Sequence, residues 1–132
     1  MGRWAYTVLR VLFGAWFLAS GIEYFLPFNL QPLGGTARAQ EFTLALIHSG
    51  LFAWVKVAEV AIGLAVLANR AILPAALLCL PLTVVIGWWN FVLDPGAIQC
   101  SFGVFTAGCN AMLLWPFRRE LLALVRWSPV PA

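Results

Sequence analysis

Four long apolar segments alternate with short polar breaks along the chain. The first runs from about Trp4 to Leu26 and stops at Pro27. The second covers Leu51 to Ala68 and ends at Asn69-Arg70. The third covers Ala71 to Leu93 and is followed by Asp94-Pro95-Gly96. The fourth, Ser101 to Phe117, is shorter. A helix needs ~20 residues to cross a bilayer core, and each segment is near that length. The pattern predicts an all-α integral membrane protein, a single domain over residues 1–132 built as a four-transmembrane-helix bundle. Pro74 falls in the first turn of the third segment, where it is tolerated. Pro81 lies inside and predicts a kink, acceptable in a membrane where neighbours satisfy the freed carbonyl.

Two stretches break the apolar rhythm. Residues 27–35 (PFNLQPLGG) read as a Pro/Gly turn region. Residues 36–48 read as a short helix with Thr36 as N-cap. Phe42, Ala45, Leu46 and Ser49 share one face of it, and Arg38, Glu41 and His48 lie away from that face. This pattern predicts a helix lying at the membrane surface between the first two spans. Residues 118–127 (RRELLALVRW) predict a second such helix.

Composition narrows the class. Of 132 residues, 63% are hydrophobic and 10% charged, and mean hydropathy is +0.92. A soluble domain averages about 45–50% apolar and about 25% charged, so an ordinary soluble globule is excluded. The net charge of +3 comes from scattered basic residues, which predicts no nucleic-acid partner. Arg3, Arg70, Arg118, Arg119 and Arg126 fall on one side of the predicted topology, and only Arg38 on the other. That asymmetry places both termini in the cytoplasm. The N-terminal apolar run is too long for a cleaved signal peptide and lacks a small-residue cleavage site. Cys79, Cys100 and Cys109 show no metal-ligand spacing, so no metal is expected. Cys100 is predicted outside, with no thiol partner at its depth.

The ionisable residues inside the apolar segments carry the candidate chemistry. A charge at the centre of a spanning helix costs about 2.5–3.5 kcal/mol on insertion scales. Lys56 and Glu59 are three apart and pair on one helical face. At ~100° per residue, Lys56, Glu59, Gly63 and Arg70 fall within about 60° of one another. The pair reads either as a self-neutralising strut or as a proton or ligand site at Glu59. Polar or small faces recur at Thr83, Gly87, Asn90 and Asp94, at Gly103, Thr106 and Asn110, and at Arg10, Gly14, Phe17, Gly21 and Tyr24. Turned inward, these faces bring Glu23, Lys56, Glu59 and Asn90 into one polar cluster in the outer half. Arg10 is the basic residue of the inner half. Trp88 and Trp89 read as part of an aromatic belt near span ends, or as a stacking platform for a quinone. His48 reads as a surface residue rather than a haem ligand. No flavin, nicotinamide, haem or iron–sulfur motif is present, and a quinone is the one candidate cofactor.

Three blocks in order carry a family resemblance: Arg10…Gly14…Ser20-Gly21, then VKVAEVAIGLAVLANR, then ILPAALLCLPLTVVIGWWNFVLDP. The chain resembles the DoxX-like family of small four-span bacterial membrane proteins from about Arg10 to Phe117. It departs where the family often carries a basic residue late in the first span, here Glu23, and a Phe-His pair in the third, here Trp89-Asn90. The resemblance implies a bacterial cytoplasmic-membrane protein acting as a small subunit of a redox or oxidative-stress detoxification system, beside a partner protein or larger complex. A non-catalytic anchor or assembly subunit and a small proton-coupled transporter are the alternatives.

Overall fold

The computed structural model of the chain describes residues 2–28 and 32–125, which are mostly helical with no strand among them. Helix α1 is Arg3–Glu23, α2 Ala37–His48, α3 Leu51–Leu67, α4 Ile72–Trp88, α5 Ala97–Leu114 and α6 Arg118–Leu124. A π-helical turn, Trp89–Leu93, extends α4, and a 3-10 turn, Trp115–Phe117, joins α5 to α6. Three helical stretches are long and apolar enough to cross a membrane: Arg3–Glu23, Ile72–Leu93 and Ala97–Leu124. A fourth qualifies only if α2 and α3, bent by 87°, count together.

Helix ends differ from expectation where turn chemistry competes with periodicity. The first helix stops at Glu23 rather than Leu26, because the Phe25 and Leu26 amides donate to the Ile22 and Glu23 carbonyls in tight turns. Helix α5 starts at Ala97 rather than Ser101, and the Cys100 amide already donates to the Gly96 carbonyl. The α4 helix continues through Pro81, which sits on its exposed side. Pro95 has no amide hydrogen and drives Asp94 out of the helical region (φ −131°, ψ 60°). The last donor, Asp94 N–H, bonds the Trp89 carbonyl five residues back, which makes the π turn. The predicted tail helix is described only as far as Val125; Arg126 and Trp127 lie outside the described residues.

The four long helices close a ring in the order α1, α3, α4, α5. Helices α1 and α3 run antiparallel at backbone contact. A methyl on Gly63 would sit 2.6 Å from the Leu18 amide nitrogen and 2.8 Å from the Gly14 carbonyl. One on Gly21 would meet the Lys56 carbonyl at 2.8 Å. Small residues permit this approach, as in membrane helix pairs generally. The α5–α4 contact uses Gly103 in the same way, under the Phe91 ring and Asn90. Where α1 meets α5 there is no glycine seam; Trp16 packs on Phe102 and Phe105 instead. The ring encloses Phe13, Phe17, Ile62, Val66, Ala75, Ala76, Cys79, Cys109 and Leu113.

Two devices close the ends. After α3, Asn69 takes a left-handed conformation (φ 55°). The Arg70 and Asn69 amides then donate to the Ala65 and Val66 carbonyls, a Schellman closure. At the opposite end α2 packs on α3 and on the π turn. Thr36 caps it, accepting from the Ala39 amide at 3.2 Å. Its buried residues are Ala39 and Thr43, while Ala45 and Ser49 are exposed. The inward face is therefore rotated from the one that hydrophobicity indicated. Tertiary hydrogen bonds, described next, set that rotation.

Candidate functional site

Lys56 and Glu59 sit on consecutive turns of α3, and the helical rise of ~1.5 Å per residue places Glu59 about 12 Å from the helix start. Both are nearly inaccessible, at 3% and 5% exposure. The Lys56 ammonium donates to Glu59 Oε2 at 2.9 Å and to Ser20 Oγ on α1 at 3.0 Å. It also lies 5.2 Å from the centre of the Phe52 ring. The arrangement is neutral overall, and neutrality makes such deep burial tolerable. Ser20 joins the pair because the Gly21–Lys56 backbone contact brings α1 into reach.

A second polar set lies between α4 and α5. Asn110 Nδ2 donates to Thr83 Oγ1 at 2.9 Å, and Thr83 Oγ1 lies 3.5 Å from Cys79 Sγ. The buried Thr106 spends its hydroxyl on the Phe102 carbonyl. Asn90 is buried at the π turn, and its amide nitrogen donates to the Ile86 carbonyl at 2.7 Å. Its own carbonyl, freed because Pro95 has no amide hydrogen, faces Cys100 Sγ at 3.8 Å. Along α1, α3 and α4, these polar groups lie on the α2 side of the apolar core. On α5 the order does not hold, since Asn110 lies between Cys109 and Leu113 of that core.

The other residues singled out in the sequence go elsewhere. Glu23 is half-buried at the end of α1 and makes no ion pair or side-chain hydrogen bond among the described residues, so it does not join Lys56 and Glu59. Arg10 donates to the Val66 and Leu67 carbonyls at 2.5 and 2.9 Å. There it satisfies the last carbonyls of α3 and complements the negative end of its dipole. Trp88 and Trp89 diverge. Trp88 is exposed on the outside of α4, whereas Trp89 Nε1 donates to Thr43 Oγ1 at 3.1 Å and pins α2. His48 is exposed, at the end of α2.

Asp94, which follows the third apolar segment, is nearly inaccessible, at 5% exposure. Its carboxylate accepts from the Gly35 amide at 3.0 and 3.1 Å and from the Thr36 amide at 3.1 Å. Gln99 reaches the same carboxylate at 3.5 Å. The Thr36 hydroxyl donates to the Leu93 carbonyl. Asp94 therefore clasps the start of α2, where unpaired amides and the positive end of the dipole favour an anion. The sequence signal was the Gly-Gly-Thr entry to a helix, which leaves donors in need of an acceptor. No local rule indicates a carboxylate 58 residues away.

The outside of the bundle carries, among its hollows, two apolar ones formed by described residues. One of about 370 Å³ lies between α1 and α5, lined by Ala5, Val8, Leu9, Leu12, Phe105 and Cys109. The other, about 200 Å³, lies between α3 and α4 around Ile62 and Pro74. Both are apolar, and neither is lined by Lys56, Glu59, Trp88 or Trp89. No group of three or more His, Cys, Asp or Glu side chains among the described residues has metal-binding geometry. All three cysteines are free thiols. No family model, curated protein or solved structure matches the chain.

Proposed function

We propose that the chain is a four-span protein of a bacterial cytoplasmic membrane that serves as a small membrane subunit of a redox or oxidative-stress detoxification system. In this reading α1, α3, α4 and α5 cross the bilayer, and α2 lies at the outer interface. The near-right-angle bend between α2 and α3 supports that division, as do the exposed Arg38, Glu41 and His48 on α2. Exposed Arg3, Arg70, Arg118 and Arg119 cluster at the other end and support cytoplasmic termini. The exposed Trp4, Trp54, Trp88 and Trp115 are suited to the two interfacial belts.

One observation carries the functional reading. The charged side chains between the helices are spent on internal bonds: Lys56 on Glu59 and Ser20, Arg10 on α3 carbonyls. A chain built this way acts through its apolar outer surface, in company with another subunit. The redox setting rests on the resemblance to DoxX-like chains. A quinone is the cofactor class that setting favours, and the apolar hollow between α1 and α5 is the surface it would use.

The same closed ion pair favours a second reading, a non-catalytic anchor or assembly subunit. Purification of the tagged chain from native membranes in mild detergent separates the two. The first reading expects a co-purifying redox protein with extractable quinone. A stable quinone-free complex supports the anchor. A chain that purifies alone, without quinone, overturns both.

A further inference from the structure

Small side chains line the seam between α3 and α4 and leave it partly unfilled. Its hollow of about 200 Å³ runs past Ala61 and Ala65 on α3 and past Leu78 and Pro74 on α4, and it reaches Ala71. From Leu78 to Ala71 is about 10 Å at a rise of ~1.5 Å per residue. With α3 and α4 spanning a bilayer, this is a groove in the lipid-facing surface that begins at one interface and runs toward mid-depth. Its mouth is positively charged. Arg70, next to Ala71, is exposed and makes no side-chain hydrogen bond or ion pair among the described residues. Ala71 gives α4 no side-chain cap, so the positive end of that helix's dipole is uncovered. The carbonyls ending α3, which would repel an anion, are already taken by Arg10 and by the Asn69 and Arg70 amides. Glu23, Glu41, Glu59 and Asp94 lie toward α2, which leaves Glu120 on α6 as the acidic residue of this end.

We propose that this groove seats an anionic phospholipid, with an acyl chain in the hollow and the phosphate on Arg70 beside the start of α4. An apolar slot and a positive mouth call for the two halves of one molecule. An uncharged chain would fill the slot and leave Arg70 unused, and a free anion would pair with Arg70 and leave the slot empty. Basic pockets between spanning helices on the cytoplasmic side are a recurrent setting for anionic headgroups, and the proposed orientation puts Arg70 on that side. The seam between α1 and α5, where a quinone would bind, lies across the ring, so the two ligands do not compete. The lipid seat needs the four-span arrangement, which impermeant thiol labelling tests by itself, and it is compatible with a redox or an anchoring role.

Native mass spectrometry tests this on the purified chain, in detergent holding equal amounts of phosphatidylglycerol and phosphatidylcholine with matched acyl chains. The wild type is expected to retain one phosphatidylglycerol in preference to phosphatidylcholine. Arg70→Gln is expected to lower that preference about fivefold, the effect of one basic residue near an anionic headgroup. Arg119→Gln removes a charge from the same end but away from the hollow, and is expected to leave the preference unchanged. Ala65→Leu fills the hollow and is expected to reduce retention of both lipids. A wild type without the preference overturns the proposal, and so does an Arg70→Gln variant that keeps it. Equal losses in Arg70→Gln and Arg119→Gln would mean general attraction to a positive surface, and would overturn it too. A wild type that holds an uncharged lipid or a second copy of itself instead has the same consequence. Arg70 is exposed, so its variant is expected to melt like the wild type, and the comparison stands even if Ala65→Leu does not fold.

Discussion

At Lys56 and Glu59 the chain buries two full charges within hydrogen-bond distance, at 2.9 Å. Breaking such a pair from one side leaves an uncompensated charge, which costs about 3–5 kcal/mol, whereas replacing both partners by apolar residues of similar size is often neutral. Lys56→Met is therefore expected to be severely destabilising and Lys56→Met/Glu59→Met much less so. Thermal unfolding across the double-mutant cycle measures the difference, and equal losses in both would refute the strut. Glu59→Gln adds a functional test. If the partner complex keeps its activity while stability falls, Glu59 holds the fold and does no chemistry. Ser20 belongs to the same unit, and its hydroxyl was invisible to a reading of α3 alone.

Elements meet through residues whose value lies in having little or no side chain. Gly63 is pressed against α1 backbone, while Gly108 on α5 has open space where a methyl would go. Gly63→Ala must push α1 and α3 apart and is expected to cost about 1–3 kcal/mol, the range for overpacking. Gly108→Ala is expected to be neutral or to gain up to about 1 kcal/mol from helix propensity. Melting of the two single variants side by side checks the contrast. Helix α2 depends on a different device. With few buried residues of its own, it is held by the Asp94 clasp and the Trp89–Thr43 bond. Asp94→Ala removes the acceptor for two amides, a loss of about 1 kcal/mol for a helix start. Hydrogen exchange is expected to quicken in the first turns of α2 and to stay slow in α1, α3 and α5. Uniform quickening would mean that Asp94 holds the whole bundle rather than one helix.

For the molecule as a whole, the proposed orientation has a direct consequence. In a background with Cys79, Cys100 and Cys109 replaced by Ala, a single Cys at Ile98 is expected to react with a membrane-impermeant maleimide added to spheroplasts. A single Cys at Arg119 is expected to react only after lysis. The reverse pattern would invert the topology, and reaction of both in intact cells would exclude a four-span arrangement.

Local patterning alone specified the helices and much of their inward faces. Gly14, Phe17 and Gly21, Lys56, Glu59 and Gly63, and Gly103, Thr106 and Asn110 all share faces by spacing, and all are buried. The Lys56–Glu59 pair was legible for the same reason, since both partners lie on one helix three residues apart. Partners from different helices were not legible. Arg10 on the α3 carbonyls, Ser20 on Lys56, Asp94 on the α2 amides and Trp89 on Thr43 span 36 to 59 residues of sequence. Helical periodicity says which way a side chain points, not which helix stands opposite or at what axial offset. Backbone contact at glycines and unpaired amides at helix ends supply that offset, and both arise only when the chain packs. They also turned α2 onto Ala39 and Thr43 and separated the adjacent Trp88 and Trp89 into different roles.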